Sequence, residues 1–147
     1  TLNQEQIMNY FTRIGLNYDD YKCHKLDGQL LAKLCFAHNI SIPFENLDIL
    51  NHKMISLDGS ILYDKIITKH RGGLCFELNG LSEIFLRSLG FGVKDLSSRF
   101  FRDAGDDIPM QRHRLLKVEA VDGTYIWDIG IGQRSPKYPL RLAEGLV

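Results

Sequence analysis

The chain is organised around one stretch, Arg71-Gly72-Gly73-Leu74-Cys75-Phe76-Glu77-Leu78-Asn79. Two glycines allow a sharp turn, and beyond them apolar residues recur with helical spacing, at Phe76, Leu78, Leu81, Phe85 and Leu89. This pattern places Cys75 near a helix N-terminus, where unpaired N–H groups and the helix dipole stabilise a thiolate. Because the thiolate is the form that attacks a carbonyl carbon, we predict a nucleophile. The alternative is a small buried core residue, since cysteine is often buried.

The composition is that of a globular domain. Of 147 residues, 44% are hydrophobic and 24% are charged, and 18 basic residues balance 18 acidic ones. A neutral charge gives no indication of nucleic acid or an anionic membrane as a partner, and the apolar runs are too short to span a bilayer. Three cysteines at irregular spacing do not form a disulfide framework and favour a reducing cytoplasm.

The first part of the chain is predicted to be helical. Apolar periodicity indicates helices over 2–15, 28–38 and around 61–66, and the Cys75 helix is expected to end near Gly90. The segment 44–49 is expected to be an ordered, partly buried connector.

Beyond residue 92 the pattern changes to strands. The segments 93–102, 111–121 and 124–129 are rich in strand-forming residues, and Asp122-Gly123 predicts a tight hairpin between the last two. The segment 103–109 reads as a polar, exposed loop. We therefore predict an α+β fold in which a helical domain, 1–90, precedes an antiparallel β domain, 91–147.

The segment 133–147 is expected to be connecting chain, because it contains Pro136, Pro139 and Gly145. A sheet of three strands would then keep an open edge, as in a truncated β domain. Such an edge could pair with a second copy of the chain. A non-catalytic fragment that folds as a homo-oligomer is therefore one alternative.

Two further residues could form a catalytic triad with Cys75. His113 begins the second predicted strand, and Asp128 ends the third. Pairing about the hairpin turn sets residue 113 level with 130–132, so the two side chains would lie close together. The imidazole could take the cysteine proton while the carboxylate orients the ring. The alternatives are a solvated histidine and a turn aspartate.

A cysteine nucleophile with a histidine base suits acyl transfer. The thiolate attacks a thioester, an acyl-cysteine forms, and a second nucleophile removes the acyl group in a ping-pong sequence. N–H groups at the start of the Cys75 helix are candidates to stabilise the oxyanion. A cysteine hydrolase or an amide synthase would use the same triad, so both stay open.

Three separate motifs resemble those of the arylamine N-acetyltransferases. They are Ile42-Pro43-Phe44-Glu45-Asn46-Leu47-Asp48-Ile49, the stretch 71–79, and Trp127-Asp128-Ile129-Gly130-Ile131-Gly132, which is similar to that family's Asp-Val-Gly-Phe-Gly segment. The resemblance implies a helical domain, then a β-barrel that is only partial here, with a cysteine-proteinase-like core. It implies acetyl transfer in xenobiotic metabolism, without a metal, from acetyl-CoA as cosubstrate to an arylamine, arylhydroxylamine or hydrazine.

The resemblance also implies roles for residues around the triad. Glu45 and Arg71 match a partly buried ion pair that would brace the Gly-Gly loop. Phe44, Leu74 and Ile131 are candidates for the wall of the aromatic amine pocket.

Two glycines are candidates for binding the cosubstrate. The loop from Gly130 to Gly132 could hold a pyrophosphate through backbone N–H groups. The sequence departs from the family pattern in three ways. Members of the family are longer, Ile131 replaces a usual Phe, and Gln133 stands where a further glycine is frequent.

A metal site formed by Cys23, His24, Cys35 and His38 is an alternative from another class. Its spacing does not match a zinc knuckle, because the first two residues are adjacent. We expect no metal, with Cys35 packed in the core and His38 exposed.

Overall fold

A computed structural model describes residues 1–101 and 108–143. Most of the loop predicted at 103–109 lies outside the described residues. Within them the chain forms five α-helices and four strands: α1 Gln4–Arg13, α2 Gly28–Ser41, α3 Leu47–Leu50, α4 Gly59–Tyr63, α5 Cys75–Leu89, β1 Gly92–Ser98, β2 His113–Ala120, β3 Gly123–Trp127 and β4 Leu140–Leu142. A π-helical turn, Asp64–Thr68, continues α4.

The strands form one antiparallel sheet in the order β1-β2-β3-β4, which confirms the predicted α+β class. The predicted hairpin is also present, with Ala120 opposite Gly123 and Leu116 opposite Trp127. The prediction of connecting chain throughout 133–147 is wrong for β4, where Leu140 pairs with Ile126. Pro139 precedes the strand, so its missing N–H interrupts none of the ladder bonds.

Two helix ends differ from the prediction for local reasons, and a third agrees with it. A capping box starts α1 at Gln4, since the side chains of Asn3 and Gln6 each accept the other's backbone N–H at 2.9 Å. Helix α2 runs on to Ser41, because Pro43 restricts only Ile42, which is extended. Helix α5 ends as predicted at Gly90, whose positive φ of 103° terminates the helix.

One hydrophobic core joins the helical and the β regions. Helix α5 packs on β1 and β2. A single buried cluster combines side chains from both regions, among them Phe11, Leu81, Phe85, Leu116 and Trp127. The division into domains at residue 90 stays a prediction. Over the described ranges, no helix has both the length and the apolar character needed to cross a membrane.

Candidate active site

Cys75 is the first residue of α5, as its sequence context predicts. Its side chain is partly exposed, whereas Cys35 is buried and Cys23 lies on the surface. The backbone N–H groups of Cys75 and Phe76 have no hydrogen-bond acceptor among the described residues. A partly exposed thiol beside two unpaired N–H groups is a suitable arrangement for a nucleophile.

The two glycines before Cys75 are required for close packing. Neither has a positive φ, and residues 71–74 form no turn, so the expected sharp turn is not what they provide. A side-chain carbon on Gly72 would overlap the carbonyl oxygen of Pro43, and one on Gly73 would lie 3.0 Å from Glu77. The segment after Pro43 therefore runs directly alongside the glycines, and Phe44 forms a parallel bridge with Gly73.

His113 and Asp128 meet at the end of the sheet, where the hairpin register places them. His113 Nε2 donates to Asp128 Oδ2 at 2.7 Å, and the two side chains are 2% and 6% exposed. Burial opposes the charged ring, but the Asp128 hydrogen bond and the neighbouring Cys75 outweigh it and raise the pKa of His113 to about 9. The other ring nitrogen, Nδ1, is buried and has no hydrogen-bond partner among the described groups. It is the nitrogen left to interact with Cys75.

Asn79 is a candidate site residue that was not predicted from the sequence, although it is the last residue of the stretch 71–79. Its Nδ2 donates to Asp128 Oδ1 at 3.2 Å and to the Arg114 carbonyl at 2.6 Å. Its Oδ1 accepts the Ile129 N–H at 3.3 Å. Asn79 follows Cys75 by one helical turn, so this amide joins α5 to the hairpin that carries His113 and is followed directly by Asp128. An amide four residues after Cys75, within an otherwise apolar helical pattern, is the sequence signal that could have identified it.

Gly130 lies against Cys75. Its N–H donates to Asp128 Oδ1 at 3.0 Å, and the next N–H, of Ile131, donates to Ser135 Oγ at 2.9 Å. These two N–H groups therefore already have acceptors and are not free to bind a pyrophosphate. A side-chain carbon on Gly130 would be 2.7 Å from both Cα and Cβ of Cys75.

Three of the predicted ligand-binding residues line one cleft. Phe44, Ile131 and Gly132 border a cleft of about 540 Å³, together with Arg134. Leu74 is half-buried, directly precedes α5 and does not border this cleft. A second cleft of about 540 Å³ is bordered by His113 and Phe76, and the Phe100 ring lies 4.7 Å from the His113 ring.

Glu45 and Arg71 form an ion pair beside the Gly-Gly segment. Arg71 Nε donates to Glu45 Oε1 at 2.9 Å, and its Nη1 donates to Asp48 Oδ1 at 3.1 Å. Hydrogen bonds to Asp48 and Glu45 stabilise the protonated guanidinium and raise the pKa of Arg71. The pair connects the segment after Pro43 to the residues that precede Cys75.

The residues of the alternative metal site do not assemble. His38 is 1% exposed, so the expectation that it lies on the surface is wrong. Its Nδ1 is 3.1 Å from the Tyr10 hydroxyl, and burial lowers its pKa to about 3. Cys35 is buried as expected, and burial raises its pKa to about 12. Within 1–101 and 108–143, no three histidine, cysteine or acidic side chains are grouped as metal ligands.

Comparison with known proteins first defines the class. The sequence profile of a family described as N-acetyltransferase matches residues 27–147. The arylamine N-acetyltransferase of Escherichia coli is 40% identical over 139 residues, which cover 95% of this chain and 48% of the relative.

Solved structures agree. The Salmonella typhimurium arylamine N-acetyltransferase superposes with a TM-score of 0.88 and 38% identity, over 99% of this chain and 52% of its own. The Mycobacterium marinum arylamine N-acetyltransferase in complex with CoA superposes with a TM-score of 0.83 and 34% identity, over 96% of this chain and 52% of its own. The chain thus spans about half the length of these relatives. It belongs to the arylamine N-acetyltransferase family, which confirms the resemblance of its three motifs.

Proposed function

We propose that the chain transfers an acetyl group from acetyl-CoA to an arylamine, arylhydroxylamine or hydrazine. The observation that carries this proposal is the hydrogen-bonded His113–Asp128 pair beside a partly exposed cysteine at a helix N-terminus. Family membership supports the acetyl donor, and the Mycobacterium marinum relative is described as a complex with CoA.

In the first half-reaction, Cys75 would take the acetyl group. The raised pKa of His113 favours the protonated ring at neutral pH, so the imidazole can hold the proton that Cys75 gives up when it attacks. The thiolate attacks the thioester carbonyl carbon, and the oxyanion is stabilised by the unpaired N–H groups of Cys75 and Phe76. The bond to the CoA sulfur then breaks, and His113 returns its proton to the departing thiolate.

In the second half-reaction, the amine nitrogen attacks the acetyl carbon on Cys75. His113 accepts one proton from the amine, the bond to the cysteine sulfur breaks, and the thiolate–imidazolium pair is restored. Asp128 orients the ring throughout. The atoms balance without any further reactant.

We assign both substrates to the cleft bordered by Phe44, Ile131 and Gly132, whose wall includes the residues on either side of Gly130, the glycine that packs against Cys75. In a ping-pong sequence CoA leaves before the amine binds, so donor and acceptor can use one cleft in turn. The apolar side chains suit an aromatic ring, and Arg134 supplies positive charge for the phosphates of the donor. Gly132 keeps its proposed place beside the donor, whereas Gly130 would act by orienting Asp128.

Intact-protein mass spectrometry before and after incubation with acetyl-CoA tests the proposal. We expect one acetyl adduct that maps to Cys75, disappears when an aromatic amine is added, and is absent from Cys75→Ser. An adduct lost equally fast without amine would indicate the hydrolase instead.

No adduct on a folded chain would refute acetyl transfer. Size-exclusion chromatography would then test the non-catalytic alternative, in which a second copy pairs along β4. Because the chemistry requires a reduced thiol, and all three cysteines are free, we retain the cytoplasm as the proposed location.

A further inference from the structure

Five alternately charged side chains form a continuous chain that ends at Glu77, two residues after Cys75. We call it the charged chain: Glu45, Arg71, Asp48, Lys65 and Glu77. Arg71 bridges the two acidic residues at its outer end. Lys65 Nζ then lies 2.7 Å from Asp48 Oδ2 and 2.7 Å from Glu77 Oε1. The exposed fractions of the Lys65 and Glu77 side chains are 12% and 3%, so water screens this inner pair little.

Glu77 has two functions at the start of α5. Its Oε2 accepts the N–H of Leu74 at 2.9 Å, so the carboxylate caps the helix on which Cys75 is the first residue. Of the backbone N–H groups, the Glu77 carboxylate accepts only that of Leu74, so the N–H groups of Cys75 and Phe76 remain the unpaired donors of the first turn. Gly73 is needed here, since a side-chain carbon on it would be 3.0 Å from this carboxylate oxygen.

The cap places a negative charge in the same helical turn as the nucleophile. A buried, uncompensated carboxylate would disfavour a second negative charge close by, including the thiolate of Cys75. Among the described residues, the cation paired with Glu77 is Lys65, which extends from the π-helical turn. Asp48 holds the same ammonium group from its other side.

We propose that Lys65 is a positioning residue for the nucleophile. By pairing with Glu77 it holds that carboxylate on the Leu74 N–H and offsets its charge in the helical turn that begins with Cys75. The importance of Lys65 for acetyl transfer rests on the proposed function, but its effect on the thiol can be measured without any acetyl donor.

Alkylation by iodoacetamide at pH 7, mapped by peptide mass spectrometry, provides the readout. The exposed Cys23 reacts in the same sample and serves as an internal reference, so the measured quantity is the ratio of Cys75 to Cys23 rates. For Lys65→Met we expect this ratio to fall on the order of tenfold, because Glu77 is left uncompensated. Lys69→Met is the matched control, since Lys69 pairs with Asp64 in the same turn but is 66% exposed.

A rescue separates charge from packing. In the double variant Lys65→Met/Glu77→Gln, the ratio should return to within about threefold of wild type, because the added substitution removes the uncompensated charge. A purely structural role for Lys65 would give no rescue. Wild-type reactivity in Lys65→Met, or a double variant as slow as the single, would overturn the proposal.

Glu77→Gln keeps the proposal testable if Lys65→Met does not fold. The glutamine oxygen can still accept the Leu74 N–H, so the ratio should equal or exceed that of wild type. A tenfold fall in this variant would overturn the proposal. The proposed function fails separately, by the absence of an acetyl adduct on wild-type Cys75.

Discussion

The approach of Gly130 to Cys75 makes Gly130→Ala a sharp test of the site. The added carbon would lie 2.7 Å from Cα and Cβ of Cys75, whereas carbon atoms normally pack about 3.5–4.0 Å apart. The segment after β3 and the start of α5 must therefore separate by about 1 Å. Overpacking of this kind costs about 1–3 kcal/mol of folding stability. The same displacement moves Cys75 from His113, and a misplacement of about 1 Å can lower a rate about 100-fold.

The assay compares the acetyl-transfer rate with the free energy of unfolding in urea. Gly59→Ala is the control, because its added carbon also meets a neighbour at 2.7 Å, but that neighbour is the movable Cδ1 end of Ile84. We expect Gly130→Ala to lose about 100-fold in rate while staying folded, and Gly59→Ala to keep its rate. Equal rates in both variants would refute the argument that this contact sets the triad geometry.

Two further predictions concern buried polar side chains. Asn79→Ala should lower the free energy of unfolding by about 2–4 kcal/mol, because buried backbone groups lose their hydrogen-bond partner. It should also slow the alkylation of Cys75, because Asp128 loses a hydrogen bond that holds it in place. Unchanged values in urea unfolding and in alkylation would contradict the bridging role of Asn79. The pKa of His38 is about 3 in the folded chain and near 6.5 in the unfolded chain. Between these two pH values the unfolded chain therefore binds more protons than the folded chain. The free energy of unfolding consequently falls as the pH drops from 6.5 towards 3. The loss from His38 by pH 5 should be about 2 kcal/mol, and His38→Gln should remove that part of the pH dependence in urea unfolding at pH 7 and pH 5.

The sequence predicts those parts of the site that depend on local patterns. The helical spacing after Cys75 predicts the start of α5, and the hairpin turn sets the register that places His113 near Asp128. Both signals lie within a few residues of the features they predict, so no knowledge of distant packing is required.

Features that depend on contacts between distant segments were missed. The role of Gly72 follows from the path of Pro43, 29 positions earlier in the sequence. The burial of His38 depends on Tyr10 in another helix, and a histidine near a helix end carries no sign of that partner. Strand β4 is three residues long and depends on the free edge of β3 rather than on its own composition.

The placement of the proposed triad also has a consequence for the order in which the protein folds. His113 and Asp128 are separated by 15 residues on one hairpin, whereas the bond from Asn79 to Asp128 spans 49. Hairpins close in about 1–10 μs, and contacts of longer range form more slowly. We therefore expect His113 and Asp128 to come together before Cys75 joins them. After dilution from denaturant, the moment at which Cys75 becomes reactive would time the docking of α5 on the sheet.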